Sequence, residues 1–532
     1  MPASLSAKKI RELYDQGFWR DDTIYGLVWD NAGKTPDKTA IRERARTISY
    51  ARLVDGVDRL AGALAGSGLS AGDRVAVWLP SRIETAVALL ACSRNGYVCC
   101  PSLHRDHMVG DIVELLERTE AAGLIAEAGY GADGTRKDIF KAASGVESLK
   151  YILMLDPRNG NEDLLPSIKP ATAPTEIRTD PDSIVYLAFT SGTTGRPKGV
   201  MHSTNTLTGS LFEYSKRIGL DGEDVVIMGS PFAHQVGFLY GIMVALTHGI
   251  ELIAFDIWDA SEAARLIQER GATYTLSSTP FLADLTDLED LEKYDISSLK
   301  AFVCGGAPVP SSLAKRAIKN LKTNIVAAWG MTENSAATIT RPEDPDARVY
   351  STDGVALPGM EVRVIGDDGQ PLPAGEVGAL QSKGAANFIG YLKRPELYAH
   401  DEDGWFDTGD LARMDEEGYI RITGRSKDVI IRGGENIPVA EVEDLIYTHP
   451  AILDAAIVAM QDERLGERAC AFVTLKPGEK MELGELVAFL TDKEMTRTYL
   501  PERLEVIEEM PRTASGKIQK FILRETAKGF SA

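Results

Sequence analysis

The sequence predicts an α/β protein: a large N-terminal domain of stacked α/β sheets plus a small β-barrel, then a small mobile α+β C-terminal domain. Three observations predict it. Apolar runs of strand length alternate with amphipathic helical stretches through the first 340 residues, the pattern of mostly parallel sheets covered by helices. From Val355 to Thr423 the texture changes to short strands broken by turn clusters such as Asp367-Asp368-Gly369 and Glu416-Glu417-Gly418, which reads as antiparallel or barrel-like. Beyond Arg425 the chain reads as strand, glycine-rich loop, helix and strand, a compact α+β unit.

In chain order, "DRVAVWLP" (Asp73–Pro80) reads as a strand and "RIETAVALLACSRNG" (Arg82–Gly96) as the helix behind it. "AGLIAE" (122–127), "YILML" (151–155), "DVVIMGSP" (224–231), "IELIAF" (250–255), "TYTLSS" (273–278), "AFVCGG" (301–306) and "NIVAAWG" (324–330) are further strands. Helical periodicity separates several of them, at 261–270 and 311–322. The main boundary falls near Lys427, giving domains 1–426 and 427–532. No long linker joins them, so motion of the last domain must pivot on a few residues.

A chain of 532 residues exceeds what one hydrophobic core serves. Its 44% hydrophobic and 26% charged residues are the balance of a soluble globular protein. The net charge of −20 argues against a nucleic-acid partner, which selects a basic face. Cys92, Cys99, Cys100, Cys304 and Cys470 have no metal-ligand spacing and suit a reducing cytoplasm. The N-terminus shows no signal-peptide pattern. The most apolar window, Val236–Leu246, is about half the length of a membrane helix, so no integral membrane segment is expected.

Chemistry concentrates first in "FTSGTTGRPKG" (189–199), which follows the apolar run 184–188. Gly192 and Gly195 are two residues apart and Lys198 is followed by Gly199, so this is not a Walker A loop. The physics is nevertheless that of polyanion binding. Glycines let the backbone approach a phosphate, while Thr190, Ser191, Thr193, Thr194 and Lys198 supply hydroxyls and charge. A flexible surface loop would not explain that set.

"YLAFTSGTTGRPKGV" resembles the signature of the acyl-adenylate-forming (AMP-binding) superfamily, and further motifs follow in the family's order. They are "SPFAHQVGF" (230–238), "CGGAPVP" (304–310), "AWGMTEN" (328–334), "GWFDTGDLA" (404–412), "GRSKDVIIRGGENI" (424–437) and "PRTASGKIQK" (511–520). The resemblance spans nearly the whole chain. It implies that Thr190 through Gly195 and Lys198 hold phosphates, and that Gly305, Gly306, Ala307 and Pro308 turn around adenine. Trp329 then lies against the base, beside Gly330 and Met331. Thr332 nears the α-phosphate, Glu333 binds Mg²⁺, and Asp410 and Arg425 bind ribose. His234 walls the acyl pocket, and Lys517 bridges the carboxylate and the α-phosphate.

The activity implied is that of an ATP-dependent acyl-CoA synthetase, with ATP, CoA and a carboxylic acid as small-molecule partners and Mg²⁺ as metal. Fixed cations are what attack of one anion on another requires. The resemblance makes Lys427 the hinge about which the small domain swings. It brings Gly433, Gly434 and Glu435 to the CoA thiol; Gly434 lets the pantetheine arm pass. Lysine acetyltransferases and deacetylases acting on Lys517 are implied as further partners, and a homodimer stays open. "GRSKDVIIRGGENIPVAEVEDLIYTHP" most resembles cyclohexanecarboxylate and medium-chain fatty acid–CoA ligases. The expected acyl pocket joins His234, Gln235, Gly237, Phe238, Gly305 and Met331. With no lysine or arginine among them, it suits an alicyclic, aromatic or medium-chain monocarboxylate. Two alternatives stand beside this. His234-Gln235 is similar to the His-Asn of aryl-acid-activating relatives that load a separate carrier protein, though no carrier domain follows. A non-catalytic nucleotide-binding relative would be expected to have lost Glu333, Asp410 or Lys517, and all three are present.

Overall fold

The computed structural model describes residues 7–157, 164–165, 168, 180–190, 197–306, 309–398, 400–432, 435–462, 464–513 and 516–530. Ser191, Gly192, Thr193, Thr194 and Gly195, with Ala307, Pro308, Gly433 and Gly434, lie outside them.

Two large sheets enclose one core. The first has seven strands, in the order Gly390–Tyr391, Lys198–Ser203, Ile184–Thr190, Val98–Cys100, Arg74–Trp78, Gly123–Glu127 and Tyr151–Leu155. The second has nine, running from Val355–Ala356 through Ser335–Ile339, Asn324–Met331, Ala301–Cys304, Tyr274–Ser277, Val225–Met228 and Glu251–Ala254 to Thr39–Glu43 and Arg46–Ser49. Helix Ile83–Asn95 is buried along its whole length, which explains why its sequence shows no polar stripe. Its Glu84 survives burial because Arg82 and Arg46 clamp it, at 2.7 and 2.8 Å. Burial alone would raise that carboxyl, but the two guanidiniums win and hold it at about 2.

The expected strand at 224–231 is shorter, Val225–Met228. Gly229 leaves the sheet so close to Trp258 that a Cβ would sit 2.4 Å from its ring. The apolar window after it forms a π-helix, Val236–Met243, that runs into the α-helix Val244–His248. Among the described residues no helix is long and apolar enough to cross a membrane. The five cysteines are buried free thiols.

Strands Met360–Ile365, Val377–Gly384, Phe406–Met414 and Ile420–Arg425 form a four-stranded antiparallel sheet. Residues 426–429 then lead to a separate sheet beginning at Ile430–Arg432, which has its own core of Ile430, Val442, Ile446, Ile457, Val473 and Leu486. This C-terminal unit is docked on the large one through polar contacts. Asp444 accepts from Ser311 N and Ser311 Oγ at 2.8 and 2.9 Å, and Arg413 meets Glu441 at 3.2 Å. Gly516 lies against Pro280 and Ser278, where a Cβ would approach both to 2.9 Å. The docking carries Lys517 into the large unit's cleft.

Candidate active site

The centre of the site is the tight hairpin between strands Asn324–Met331 and Ser335–Ile339. Gly330 is required there, since a Cβ would sit 1.7 Å from the Ser335 carbonyl oxygen, and Ser335 itself has a positive φ of 57°. Met331 N donates to Asn334 Oδ1 at 2.9 Å, and Asn334 Nδ2 donates to Ser382 Oγ at 3.0 Å. The turn thus presents Thr332 and Glu333 on a fixed frame. Glu333 is 5% exposed. Its Oε1 accepts from the Tyr391 hydroxyl at 2.8 Å, and its carbonyl accepts from Phe388 N at 2.7 Å. Burial raises the Glu333 carboxyl, while Tyr391, Lys198 and Arg425 pull it back. Lys198, paired with Thr190 across the hairpin that flanks the glycine-rich loop, lies 4.9 Å over the Tyr391 ring.

One wall is a carboxylate held at both oxygens. Asp410 and Arg425 face each other on neighbouring strands. Arg425 Nε donates to Asp410 Oδ1 and Trp329 Nε1 donates to Oδ2, both at 2.9 Å. Trp329 and Asp410 are both buried. Gly305 adjoins this wall, where a Cβ would stand 3.0 Å from the Ala328 carbonyl oxygen; Gly306 beside it has a φ of 86°.

Opposite lies His234, whose Nδ1 accepts from Val236 N at 3.2 Å. Burial first, and the Lys517 charge second, hold it neutral at about 4. A neutral ring that accepts at Nδ1 carries its proton on Nε2, so His234 has one donor to offer a carboxylate. Gln235 Nε2 donates to the Thr332 carbonyl at 3.2 Å. Gly237 packs on the Ser230–Pro231 turn, with no room for a Cβ, and Phe238 is fully buried in a stack 4.0 Å from Tyr186.

Lys517 stands in the open cleft, accessible to solvent although protein encloses it. The Arg425 charge, then the enclosure, push its ammonium down to about 8; Asp410, Asp428 and Glu333 oppose that shift. Its loop is closed by Thr513 N donating to the Lys517 carbonyl at 2.9 Å, and Arg512 ties it to Asp454. Lys427 is exposed on the connecting segment. Glu435 pairs by its backbone with Arg432 in the next hairpin.

The structure therefore brings together Lys198, Glu333, Asp410, Arg425, His234 and Lys517 from separate elements. Sequence reasoning missed Tyr391 and His202. Neither lies in a motif quoted above; Tyr391 reaches the turn from a short strand paired with Val200, and His202 reaches it from the other large sheet. It also missed a cavity of about 230 Å³ behind His234, lined by His104, Arg105, Tyr130, Trp258 and Phe281 among others. The His104 and His234 rings lie 6.4 Å apart.

Among the described residues no group of three or more His, Cys, Asp or Glu could hold a metal alone. Glu333 still fits Mg²⁺, a hard ion that takes one or two carboxylates and shares substrate phosphates. Its carboxylate already accepts from the Tyr391 hydroxyl and from its own backbone N–H, so it would meet a metal as an oriented group.

Residues 28–392 match the AMP-binding enzyme family and residues 441–517 match the AMP-binding enzyme C-terminal domain. The medium-chain fatty-acid–CoA ligase of Escherichia coli K12 is 38% identical over 518 residues, covering 96% of this chain and 91% of that protein. The human mitochondrial medium-chain acyl-CoA ligase ACSF2 is 30% identical over 541 residues, covering 94% and 87%. The ATP-bound crystal structure of MatB from Rhodopseudomonas palustris superposes with a TM-score of 0.86 at 28% identity, covering 95% of this chain and 99% of that chain. The chain belongs to the AMP-binding enzyme family and is an AMP-forming acid–CoA ligase.

Proposed function

We propose that this ligase activates a compact apolar monocarboxylate, medium-chain, alicyclic or aromatic, in two half-reactions. The carrying observation is that the C-terminal unit seats Gly516 against Pro280 and Ser278 of the large unit, which puts the Lys517 charge within reach of His234, Arg425, Asp410 and Glu333. In the first half-reaction a carboxylate oxygen attacks the α-phosphorus of ATP, and the bond to pyrophosphate breaks. Asp410 and Arg425 hold the ribose against Trp329, and His234 donates to the carboxylate. Lys517 lies between the two anions as charge builds. Bound Mg²⁺ supplies charge neutralisation at the phosphates, held on the protein side by Glu333.

In the second half-reaction the CoA sulfur attacks the acyl carbon, AMP leaves, and the thiol proton passes to solvent. The unit beyond Lys427 pivots there, withdrawing Lys517. The cavity behind His234 supports this order. Its wall includes Phe281, next to the Pro280 on which Gly516 is wedged, so withdrawal of that loop opens the cavity side of the cleft.

The apolar class rests on the acyl wall, where Gln235 is tied to Thr332 and no lysine or arginine stands among His234, Gln235, Gly237, Phe238 and Met331. The names of the two medium-chain relatives support it. A panel of acids assayed by pyrophosphate release with ATP and CoA tests the reading. Turnover confined to dicarboxylates or amino acids would overturn it.

A further inference from the structure

His202 is fully buried at the end of strand Lys198–Ser203, whose first residue is the phosphate-side Lys198. Both ring nitrogens are used: Nε2 lies 2.7 Å from the Thr332 carbonyl oxygen and Nδ1 lies 3.0 Å from Thr206 Oγ1. A carbonyl only accepts, so Nε2 carries the proton and Nδ1 is bare. Thr206 therefore donates to Nδ1, the nearer acceptor, with the Ser203 carbonyl oxygen at 3.2 Å sharing the same proton, while its oxygen accepts from Ser203 N at 2.9 Å. Proton placement runs one way along this chain: Ser203 N–H to Thr206, Thr206 to His202, and His202 to Thr332. Ser203 and Thr206 also form the capping box of helix Thr204–Ile218, which anchors the far end.

From this geometry we infer that His202 is a positioning residue for adenylation, fixing the Thr332–Glu333 turn through the Thr332 carbonyl. The inference rests on the reading of Thr332 as the α-phosphate contact. The hydrogen bonds that frame the turn at Asn334 and Glu333 leave the Thr332 carbonyl to two side chains among the described residues. Gln235 reaches the same oxygen at the longer distance of 3.2 Å, and the neighbouring Glu333 carbonyl is held from elsewhere by Phe388 N. His202 thus couples the strand returning from the phosphate loop to the turn that meets the same phosphates. Loss of its donor leaves a half-buried carbonyl half satisfied and lets Thr332 rotate. Nucleotide affinity, set by base and ribose contacts at the Asp410 wall, stays. An interaction realised in the transition state costs kcat rather than KM.

Two amides separate the nitrogens. In His202→Gln the side-chain N–H reaches the place of Nε2; in His202→Asn it reaches only that of Nδ1; His202→Leu supplies neither. We expect kcat for acid-dependent ATP–pyrophosphate exchange to fall about 10- to 100-fold in the Asn and Leu variants, with the KM for ATP within about threefold. The Gln variant should recover most of that rate. Equal rates in the Gln and Asn variants would overturn the inference, because a merely structural histidine would not tell them apart. Thr332→Ala is the control: if it keeps full exchange, the reading of the turn falls. If it loses exchange while the Asn and Leu variants do not, only the positioning role falls. Should the variants fail to fold, ¹⁵N-histidine spectra of the unmodified protein decide. The ring with a contact to the Thr206 methyl group must carry its proton on Nε2, and a proton on Nδ1 would overturn the inference.

Discussion

The indole N–H of Trp329 donates to Oδ2 of Asp410 at 2.9 Å, while Arg425 holds Oδ1 of the same carboxylate. The residue read from sequence as an aromatic wall is therefore also a donor to the proposed ribose acceptor. A buried hydrogen bond to a charged group is worth about 1.5–3 kcal/mol. Trp329→Phe keeps a ring but leaves Oδ2 without that donor, so the carboxylate loses its fixed orientation. The KM for ATP should rise about tenfold or more, with kcat little changed. Discrimination between ATP and 2′-deoxyATP should shrink along with it. Steady-state kinetics with both nucleotides measures this, and an unchanged ratio would detach the indole from ribose recognition.

Asp444 reaches across from the C-terminal unit to cap a helix of the large one. Helix Ser311–Leu321 has Pro310 before it and no side-chain cap of its own, so Ser311 N would otherwise go unsatisfied. A carboxylate at a helix N-terminus also meets the favourable end of its dipole. Asp444→Ala should weaken the docked arrangement that holds Lys517 in the cleft, by about 1–2 kcal/mol. Adenylation should slow roughly 5- to 30-fold. Conversion of synthetic acyl-adenylate and CoA to thioester, which the proposal assigns to the withdrawn arrangement, should hold or quicken. Equal loss in both halves would mean that Asp444 is no latch.

How far the sequence could be read depended on whether a signal was local. Strands such as Arg74–Trp78 and Tyr151–Leu155, and helix Ser311–Leu321, lie within a residue or two of where apolar runs and periodicity predict them. The π-helix at Val236–Met243 was not legible, because a fully buried helix carries no periodic contrast and an extra residue per turn leaves no residue-type mark. Likewise Asp410, Glu333 and Lys517 sit in quotable motifs, whereas Tyr391 reaches Glu333 only because its short strand pairs with Val200 and Met201. His202 and Asp444 act through contacts 130 and 133 residues away in sequence. Such partners exist only after folding.

Lys517 gives the site a pH limit. Its ammonium sits at about 8, chiefly because Arg425 repels it. A lysine in water, near 10.4, would stay charged well beyond that. The charged form is the one the proposal uses, so kcat/KM for ATP should be full below pH 8 and fall as pH rises through it. That ratio reports the free enzyme, whereas kcat reports the bound state. Bound phosphates stabilise the ammonium, so the kcat profile should break at higher pH. Lys517→Arg, if active, should lose the alkaline fall. Acetylating Lys517 removes the charge at every pH. Intact mass and exchange activity read together should show adenylation lost in proportion to modification; full activity in fully acetylated protein would end the proposed role.

The two half-reactions can be separated at Lys517 itself. If its charge serves only the attack of carboxylate on ATP, Lys517→Ala should abolish pyrophosphate release yet still turn synthetic acyl-adenylate and CoA into thioester. Geometry supports the separation, since Lys517 is carried by a loop wedged on Pro280 and Ser278, not by the large unit that holds Glu333, Asp410 and His234. Removing it leaves their frame intact. Gly434→Leu should give the converse, on the role the family resemblance implies for that glycine as the thiol's passage: adenylate forms, stays bound and stalls. An interaction made in one transition state costs rate in that step alone. Both partial reactions measured for both variants decide the matter. If Lys517→Ala loses both halves equally, or Gly434→Leu loses neither, a pivot at Lys427 does not divide this enzyme's chemistry.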